Sequence, residues 1–116
     1  MVNNEEIIRQ AYQGFNDRNI DAVLQLLHPD VHWPNGWEGG YVNGHEEVRQ
    51  YWRRQWQELD PIVTPVAFQE TPEGQVRVDV HQLIRDLQGN VQADGLVKHV
   101  YTFDEGKIKQ MVIEKP

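Results

Sequence analysis

The chain has 116 residues, a formal net charge of -7, 39% hydrophobic and 25% charged residues, and no cysteine. This composition is typical of one globular domain that builds its own core. It excludes disulfides, thiol nucleophiles and cysteine zinc sites, and the acidic balance argues against nucleic acid or an anionic membrane as partners. No apolar run approaches the roughly 18 residues of a membrane span. The polar N-terminus does not resemble a signal peptide, so we expect a single cytoplasmic domain over residues 1–116.

Two helices are predicted at the start of the chain. Residues 3–17 carry apolar side chains at helical spacing, and Asn3 with Glu6 resembles a capping box. The apolar face of this helix is formed by Ile7, Ile8, Ala11, Tyr12 and Phe15. Asn19 can cap a short second helix, which Pro29 ends.

A third helix follows an irregular stretch. Residues 31–33 predict a short extended piece, and four glycines make residues 34–44 irregular. Asn43 with Glu46 predicts a helix start, and the helix runs through about residue 59. Its buried face is predicted to contain Val48, Tyr51, Trp52, Gln55, Trp56 and Leu59.

The period of the apolar residues changes to two after residue 60. Four strands are predicted, over residues 62–70, 75–87, 91–103 and 108–114. Pro65 favours an edge strand or a bulge for the first of them. Helices followed by an antiparallel meander indicate an α+β fold.

Four local stretches carry a resemblance to a known family. They are residues 11–33 (AYQGFNDRNIDAVLQLLHPDVHW), 42–52 (VNGHEEVRQYW), 95–103 (GLVKHVYTF) and 103–113 (FDEGKIKQMVI). With the order of elements, they resemble the SnoaL-like, ketosteroid-isomerase-like branch of the nuclear transport factor two-like superfamily. The resemblance implies a cone-shaped α+β barrel, with three N-terminal helices packed on a curved, mainly antiparallel sheet. It also implies a small-molecule pocket at the open end and a homodimer through the outer face of the sheet.

The resemblance allows the catalytic positions of ketosteroid isomerases to be compared singly. The carboxylate base falls at Asn35, and an amide cannot abstract a proton. The tyrosine oxyanion donor falls at Ala11, with Tyr12 one residue away and so about 100° round the helix. The protonated acid falls at His99. Two of the three roles are unmatched, so that mechanism is not expected.

The dehydratase branch of the superfamily, which uses paired histidines, offers another comparison. Residues 79–83 (DVHQL) resemble a histidine-bearing strand of that branch. The resemblance implies that His81 and His99 form an acid–base pair, with Asp79 fixing a tautomer and Tyr101 assisting.

The register of one hairpin decides whether this pair exists. If the hairpin is symmetric about Asn90, His81 lies opposite His99, and a two-residue turn places it opposite Lys98 instead. The sequence pattern alone turns the valines of residues 76–80 to the core and His81 to solvent. The family pattern turns His81 into the cavity, which is the orientation that we favour.

A ligand pocket is predicted from aromatic, amide and thioether side chains. Its residues are Trp33, Asn35, Trp37, Tyr41, Trp52, Phe103 and Met111. Trp37 and Tyr41 lie in the glycine-rich stretch, which either covers the pocket as a lid or packs on the third helix. His28, Asp30 and His32 match no established metal motif, so neither a metal nor another cofactor is expected.

The functional hypotheses belong to different classes and stay open at this point. One is a cofactor-independent isomerase, cyclase or dehydratase that acts on a small hydrophobic, ring-containing metabolite. The others are a non-catalytic small-ligand-binding domain and a dimeric interaction module of the same fold.

Overall fold

The computed structural model describes residues 3–114, and within them three helices pack on one six-stranded sheet. The helices are α1 (Asn4–Asn16), α2 (Ile20–Leu24) and α3 (Gly44–Trp56). Oδ1 of Asn3 accepts the backbone N–H of Glu6, and Oδ1 of Asn19 accepts that of Ala22. The predicted N-caps of the first two helices are therefore confirmed.

The sheet is curved and unclosed, and β2 and β3 form its edges. Its strands are β1 (Leu27–Pro34), β2 (Tyr41–Asn43), β3 (Leu59–Glu70), β4 (Val76–Asp86), β5 (Val91–Asp104) and β6 (Lys107–Glu114). The order is β2-β1-β6-β5-β4-β3, and every neighbouring pair is antiparallel except β1 with β6. The predicted α+β fold and its four-stranded meander, β3 to β6, are confirmed.

Two helix ends differ from the sequence prediction because strand pairing takes residues from them. The second helix stops at Leu24, well before Pro29, and Leu27 already pairs with Ile108 of β6. The third helix stops before Leu59, which begins β3 and pairs with β4. Both pairings join distant parts of the chain, so a local pattern does not reveal them.

The stretch predicted as irregular contains one short strand. In β2, Val42 lies opposite Trp33 of β1. The predicted capping box at the start of α3 is wrong, because the side chain of Asn43 makes no capping hydrogen bond. Instead the backbone N–H of Asn43 donates to Oε1 of Glu47, not to Glu46.

The core lies between the helices and the inner face of the sheet. Its fully buried large side chains include Ile8, Leu27, Val31, Val48, Trp52, Tyr101 and Ile108. Gly14 lets α1 approach α2 closely, since a Cβ there would lie 2.7 Å from Cγ2 of Val23. Edge strand β3 shifts register between Pro65 and Ala67, which agrees with the position predicted for that proline. No helix within residues 3–114 is both long enough and apolar enough to cross a membrane.

Candidate active site

A cavity of about 370 Å³ lies between the helices and the inner face of the sheet. This volume is in the range of small-molecule sites, which is roughly 300–1,000 Å³. Its wall is mainly aromatic and aliphatic, with contributions from Ala11, Phe15, Trp33, Trp37, Trp52, Leu59, Val63, Ile84, Val97 and Met111. Its polar side chains are Tyr12, Tyr51, Gln55, Gln82, His99 and Tyr101. No carboxylate, lysine or arginine of residues 3–114 lines it.

Three buried side chains form a hydrogen-bonded chain in the cavity wall, and we call it the Tyr–Tyr–His chain. The hydroxyl of Tyr101 donates to the hydroxyl of Tyr12 over 2.7 Å. The Tyr12 hydroxyl lies 2.8 Å from Nδ1 of His99. Tyr12 comes from the buried face of α1, and alternation along β5 turns His99 and Tyr101 to the same side of the sheet.

The donor direction from Tyr101 to Tyr12 favours one tautomer of His99. Tyr101 already donates to the Tyr12 oxygen, so the single proton of Tyr12 is free to donate to Nδ1. A neutral imidazole that accepts at Nδ1 carries its proton on Nε2. Nε2 makes no hydrogen bond to residues 3–114, and the ring of His99 lines the cavity. In this tautomer the chain ends in an N–H that can donate to a molecule in the cavity.

Burial keeps all three groups of the Tyr–Tyr–His chain neutral at pH 7. Desolvation lowers the pKa of His99 to about 4. Burial also raises the pKa of Tyr12, to which the neighbouring Tyr101 adds, and it raises the pKa of Tyr101. His99 is thus a hydrogen-bond donor at neutral pH rather than a positive charge.

The loop between β1 and β2 is held against the cavity by Asn35. Oδ1 of Asn35 accepts the backbone N–H groups of Trp37 (3.2 Å) and Glu38 (2.7 Å). Nδ2 of Asn35 donates to Oε1 of Glu38, which also pairs with Arg54 of α3 at 2.9 Å. Burial raises the pKa of Tyr51, whose hydroxyl lies against the backbone of this loop. Asn35 therefore organises the loop and does not line the cavity.

The predicted pairing of His81 with His99 is wrong. The register places His81 opposite Leu96 and His99 opposite Val78, so the two imidazoles project from opposite faces of the sheet. His81 is 44% exposed and its Nε2 lies 2.6 Å from Oδ1 of Asp94.

Both hairpin alternatives considered from the sequence fail, because the turn lies closer to the N-terminus than either assumes. β4 ends at Asp86 and β5 begins at Val91, with a register shift between Ile84 and Arg85. The valines of β4 consequently face the core, as the sequence pattern alone suggested. Asp79 lies in the outer row with His81, away from the cavity.

The structure brings only some of the predicted pocket residues together. Trp33, Trp37, Trp52 and Met111 line the cavity. Asn35 lies behind the loop, and Tyr41 is 48% exposed and stacks on His32 with ring centroids 4.1 Å apart. Phe103 lies opposite Ile108, next to the β5–β6 turn, and is a partly buried side chain that packs on the core.

The sequence interpretation missed Tyr12, Tyr51, Gln55 and Gln82 as cavity residues. The helix patterns in the sequence do indicate three of these residues. Tyr12 is on the predicted buried face of α1, and Tyr51 and Gln55 are on that of α3. A polar side chain on a buried helix face needs a partner, and that requirement marks these positions. Gln82 gave no signal, because its orientation depends on the hairpin register.

The SnoaL-like domain model matches residues 8–111, so the chain belongs to the SnoaL-like domain family. An NTF2-like protein of unknown function from Burkholderia pseudomallei is similar, with 26% identity, a TM-score of 0.85, and coverage of 100% of this chain and 92% of that one. TerC, co-crystallised with polyporic acid, is 29% identical over 97% of this chain and 91% of its own, with a TM-score of 0.83.

A third similar structure shows the fold alone. It is the epoxide hydrolase/cyclase-like enzyme SalBIII, which has a role in pyran ring formation in the polyether salinomycin. SalBIII is 17% identical, with a TM-score of 0.80 over 97% of this chain and 89% of that one. No curated protein matches the sequence. The chain thus shares an NTF2-like fold with proteins that include cyclase-like enzymes.

Proposed function

We propose that this protein binds a small, largely apolar, ring-containing molecule in its cavity and promotes an isomerisation or cyclisation that passes through an enol or enolate. No cofactor is needed for this chemistry. The observation that carries the proposal is the buried Tyr–Tyr–His chain, which ends at the cavity in an N–H without a partner in residues 3–114.

His99 would act on a carbonyl oxygen of the ligand. Loss of a proton from the adjacent carbon moves negative charge onto that oxygen, and a preorganised donor stabilises the charge. The Nε2–H of His99 is such a donor, because Tyr12 fixes the ring through Nδ1. The apolar surroundings strengthen this hydrogen bond relative to water. His99 and Tyr12 are the residues to which we assign the chemistry, and Tyr101 positions Tyr12.

The shape of the wall supports a ring-containing ligand. The rings of Trp33 and Trp52 meet edge to face, with centroids 5.6 Å apart, and Trp37 extends the surface from the loop. Aromatic side chains in such a wall favour stacked or edge-to-face contacts with another ring. TerC, the relative co-crystallised with polyporic acid, is consistent with such a ligand for this chain.

A non-catalytic binding domain is the second candidate, and it is favoured by the lack of charged side chains among the residues of 3–114 that line the cavity. No carboxylate of residues 3–114 lines the cavity, so the protein supplies no obvious general base. In the catalytic proposal the proton must therefore leave to water or to a basic atom of the ligand. In the binding proposal the same His99 donor holds a ligand carbonyl and nothing further happens.

One experiment separates these candidates. Polyporic acid binding is measured by quenching of tryptophan fluorescence, and exchange of the α hydrogens of 2-tetralone in D₂O is followed by NMR. We expect the wild-type protein to bind polyporic acid and accelerate exchange, and His99→Leu to lose the acceleration. His81→Ala, on the other face, serves as the control and keeps both properties. Binding without accelerated exchange supports the binding domain, and absence of both contradicts the two candidates.

We also propose a homodimer through the outer face of the sheet. Leu96 is 58% exposed there, and Val112 is partly exposed in β6. Light scattering of the purified protein tests the proposal, with Leu96→Lys as the disrupting variant. A wild-type protein that is monomeric at high concentration contradicts it.

A further inference from the structure

Gln55 is a buried polar side chain of the cavity wall that has no hydrogen-bond partner in residues 3–114. Gln55 lies on the inner face of α3, is 8% exposed and lines the cavity. Its side-chain amide makes no hydrogen bond to residues 3–114. The amide atoms of Gln55 are not fully enclosed by the protein, so a molecule in the cavity can contact them.

Packing does not explain an amide at this position. The other buried residues of α3 are Val48, Tyr51 and Trp52, and a leucine or methionine would fill the same place on the helix. A buried amide without a partner destabilises a protein, whereas an apolar side chain of the same size does not. The amide of Gln55 faces the cavity without a partner in residues 3–114, so only water or a bound molecule can satisfy it, and packing alone would favour an apolar residue there.

We infer that Gln55 recognises a polar edge of the ligand, at a point separate from His99. An amide offers a donor and an acceptor side by side, and it is complemented by an acceptor and a donor in the same arrangement. Lactams and hydroxy-carbonyl edges of flat rings have this arrangement. The inference rests on the proposed function, because it concerns the same cavity, and it narrows the ligand to rings that carry such an edge.

Gln82 provides a matched control. It is also a glutamine in the cavity wall, but it comes from β4 and is only partly buried. Water can satisfy a partly exposed amide, so it gains less from a ligand. Substitution of each glutamine by methionine keeps the length of the side chain and removes only the hydrogen bonds.

The test uses 2-quinolone and coumarin, which are flat bicyclic molecules of similar shape. 2-Quinolone carries a ring N–H at the position where coumarin carries a ring oxygen. Calorimetry gives the dissociation constant of each probe for wild type, Gln55→Met and Gln82→Met. We expect the wild-type protein to prefer 2-quinolone by about tenfold, which is ~1.4 kcal/mol. Gln55→Met should bind the two probes equally well, while Gln82→Met keeps the preference.

A measurement on the wild-type protein covers the case in which Gln55→Met does not fold. The side-chain amide resonances of Gln55 should shift on addition of 2-quinolone and much less on addition of coumarin. Equal binding of both probes by the wild-type protein, or a preference that persists in Gln55→Met, overturns the inference but leaves ring binding intact. If neither probe nor polyporic acid binds, the proposed function fails and the inference fails with it.

Discussion

Tyr12→Phe is the change that tests the Tyr–Tyr–His chain most directly. It removes one oxygen atom and leaves the ring, so it opens no sizeable cavity in the core. That oxygen accepts from Tyr101 over 2.7 Å and lies 2.8 Å from Nδ1 of His99. Its loss leaves two buried polar groups without partners.

The magnitude follows from counting those groups. A buried donor or acceptor that loses its partner costs about 1–3 kcal/mol. Tyr12→Phe leaves two, so we expect a loss of roughly 2–6 kcal/mol in the free energy of unfolding. Tyr101→Phe removes only the terminal donor, and Tyr12 still donates to His99, so its cost should be that of one ordinary hydrogen bond, about 1 kcal/mol.

Urea denaturation of the two variants measures the difference, and nitrogen NMR of the imidazole reports the tautomer of His99. In the wild type and in Tyr101→Phe the proton should reside on Nε2, while in Tyr12→Phe the two tautomers should mix. Equal destabilisation by both substitutions would refute the reasoning, because it would mean that Tyr12 is not the link between the other two residues.

Three other predictions concern single residues. The pKa of His99 is about 4 in the folded state and 6.5 in the unfolded state, so the unfolded state binds more protons between pH 4 and pH 6.5. The free energy of unfolding of the wild type should therefore fall by about 3 kcal/mol as the pH falls from 6.5 to 4. His99→Leu should not show this loss in denaturation curves. Asn35→Ala should free the N–H groups of Trp37 and Glu38 and weaken polyporic acid binding several-fold by fluorescence titration, whereas Asn35→Asp keeps the accepting oxygen and should weaken it less. His81→Ala should change unfolding by under ~0.5 kcal/mol, and a larger effect would contradict its exposed position.

The fold could be predicted because its signals are local and repeated. The buried faces of α1 and α3 recur every three to four residues, and the strands alternate, so both patterns give element type and order. Side-chain positions on the helices follow from the same period, and Gln55 was therefore on the predicted buried face. What a helix face does not give is the partner across the core. In the family comparison Tyr12 lies one residue from the position of the oxyanion tyrosine. Neither that comparison nor the helix pattern indicates that Tyr12 contacts His99.

The register of the β4–β5 hairpin could not be predicted for a related reason. The sequence offers a hairpin symmetric about Asn90 or a two-residue turn at Gly89 and Asn90, whereas the structure places the turn over residues 87–90. A shift of one residue exchanges the two faces of a strand. The valine pattern of β4 does indicate which face of the strand is buried, since Val76, Val78 and Val80 are almost completely buried. The family comparison favours the opposite orientation, and it therefore places His81 on the wrong face.

The pKa of His99 also decides what kind of catalyst this cavity can be. A histidine with a pKa of about 4 is a weak base, and at neutral pH it has no extra proton to give. Its contribution in the catalytic proposal is the hydrogen bond from Nε2, and this donor is present at every pH well above 4. The exchange rate of 2-tetralone should therefore rise with pH as the base in solution becomes stronger, without an inflection near 6.5. An inflection there would show that a histidine with an ordinary pKa controls the reaction, and the buried neutral donor would then have to be abandoned as its cause.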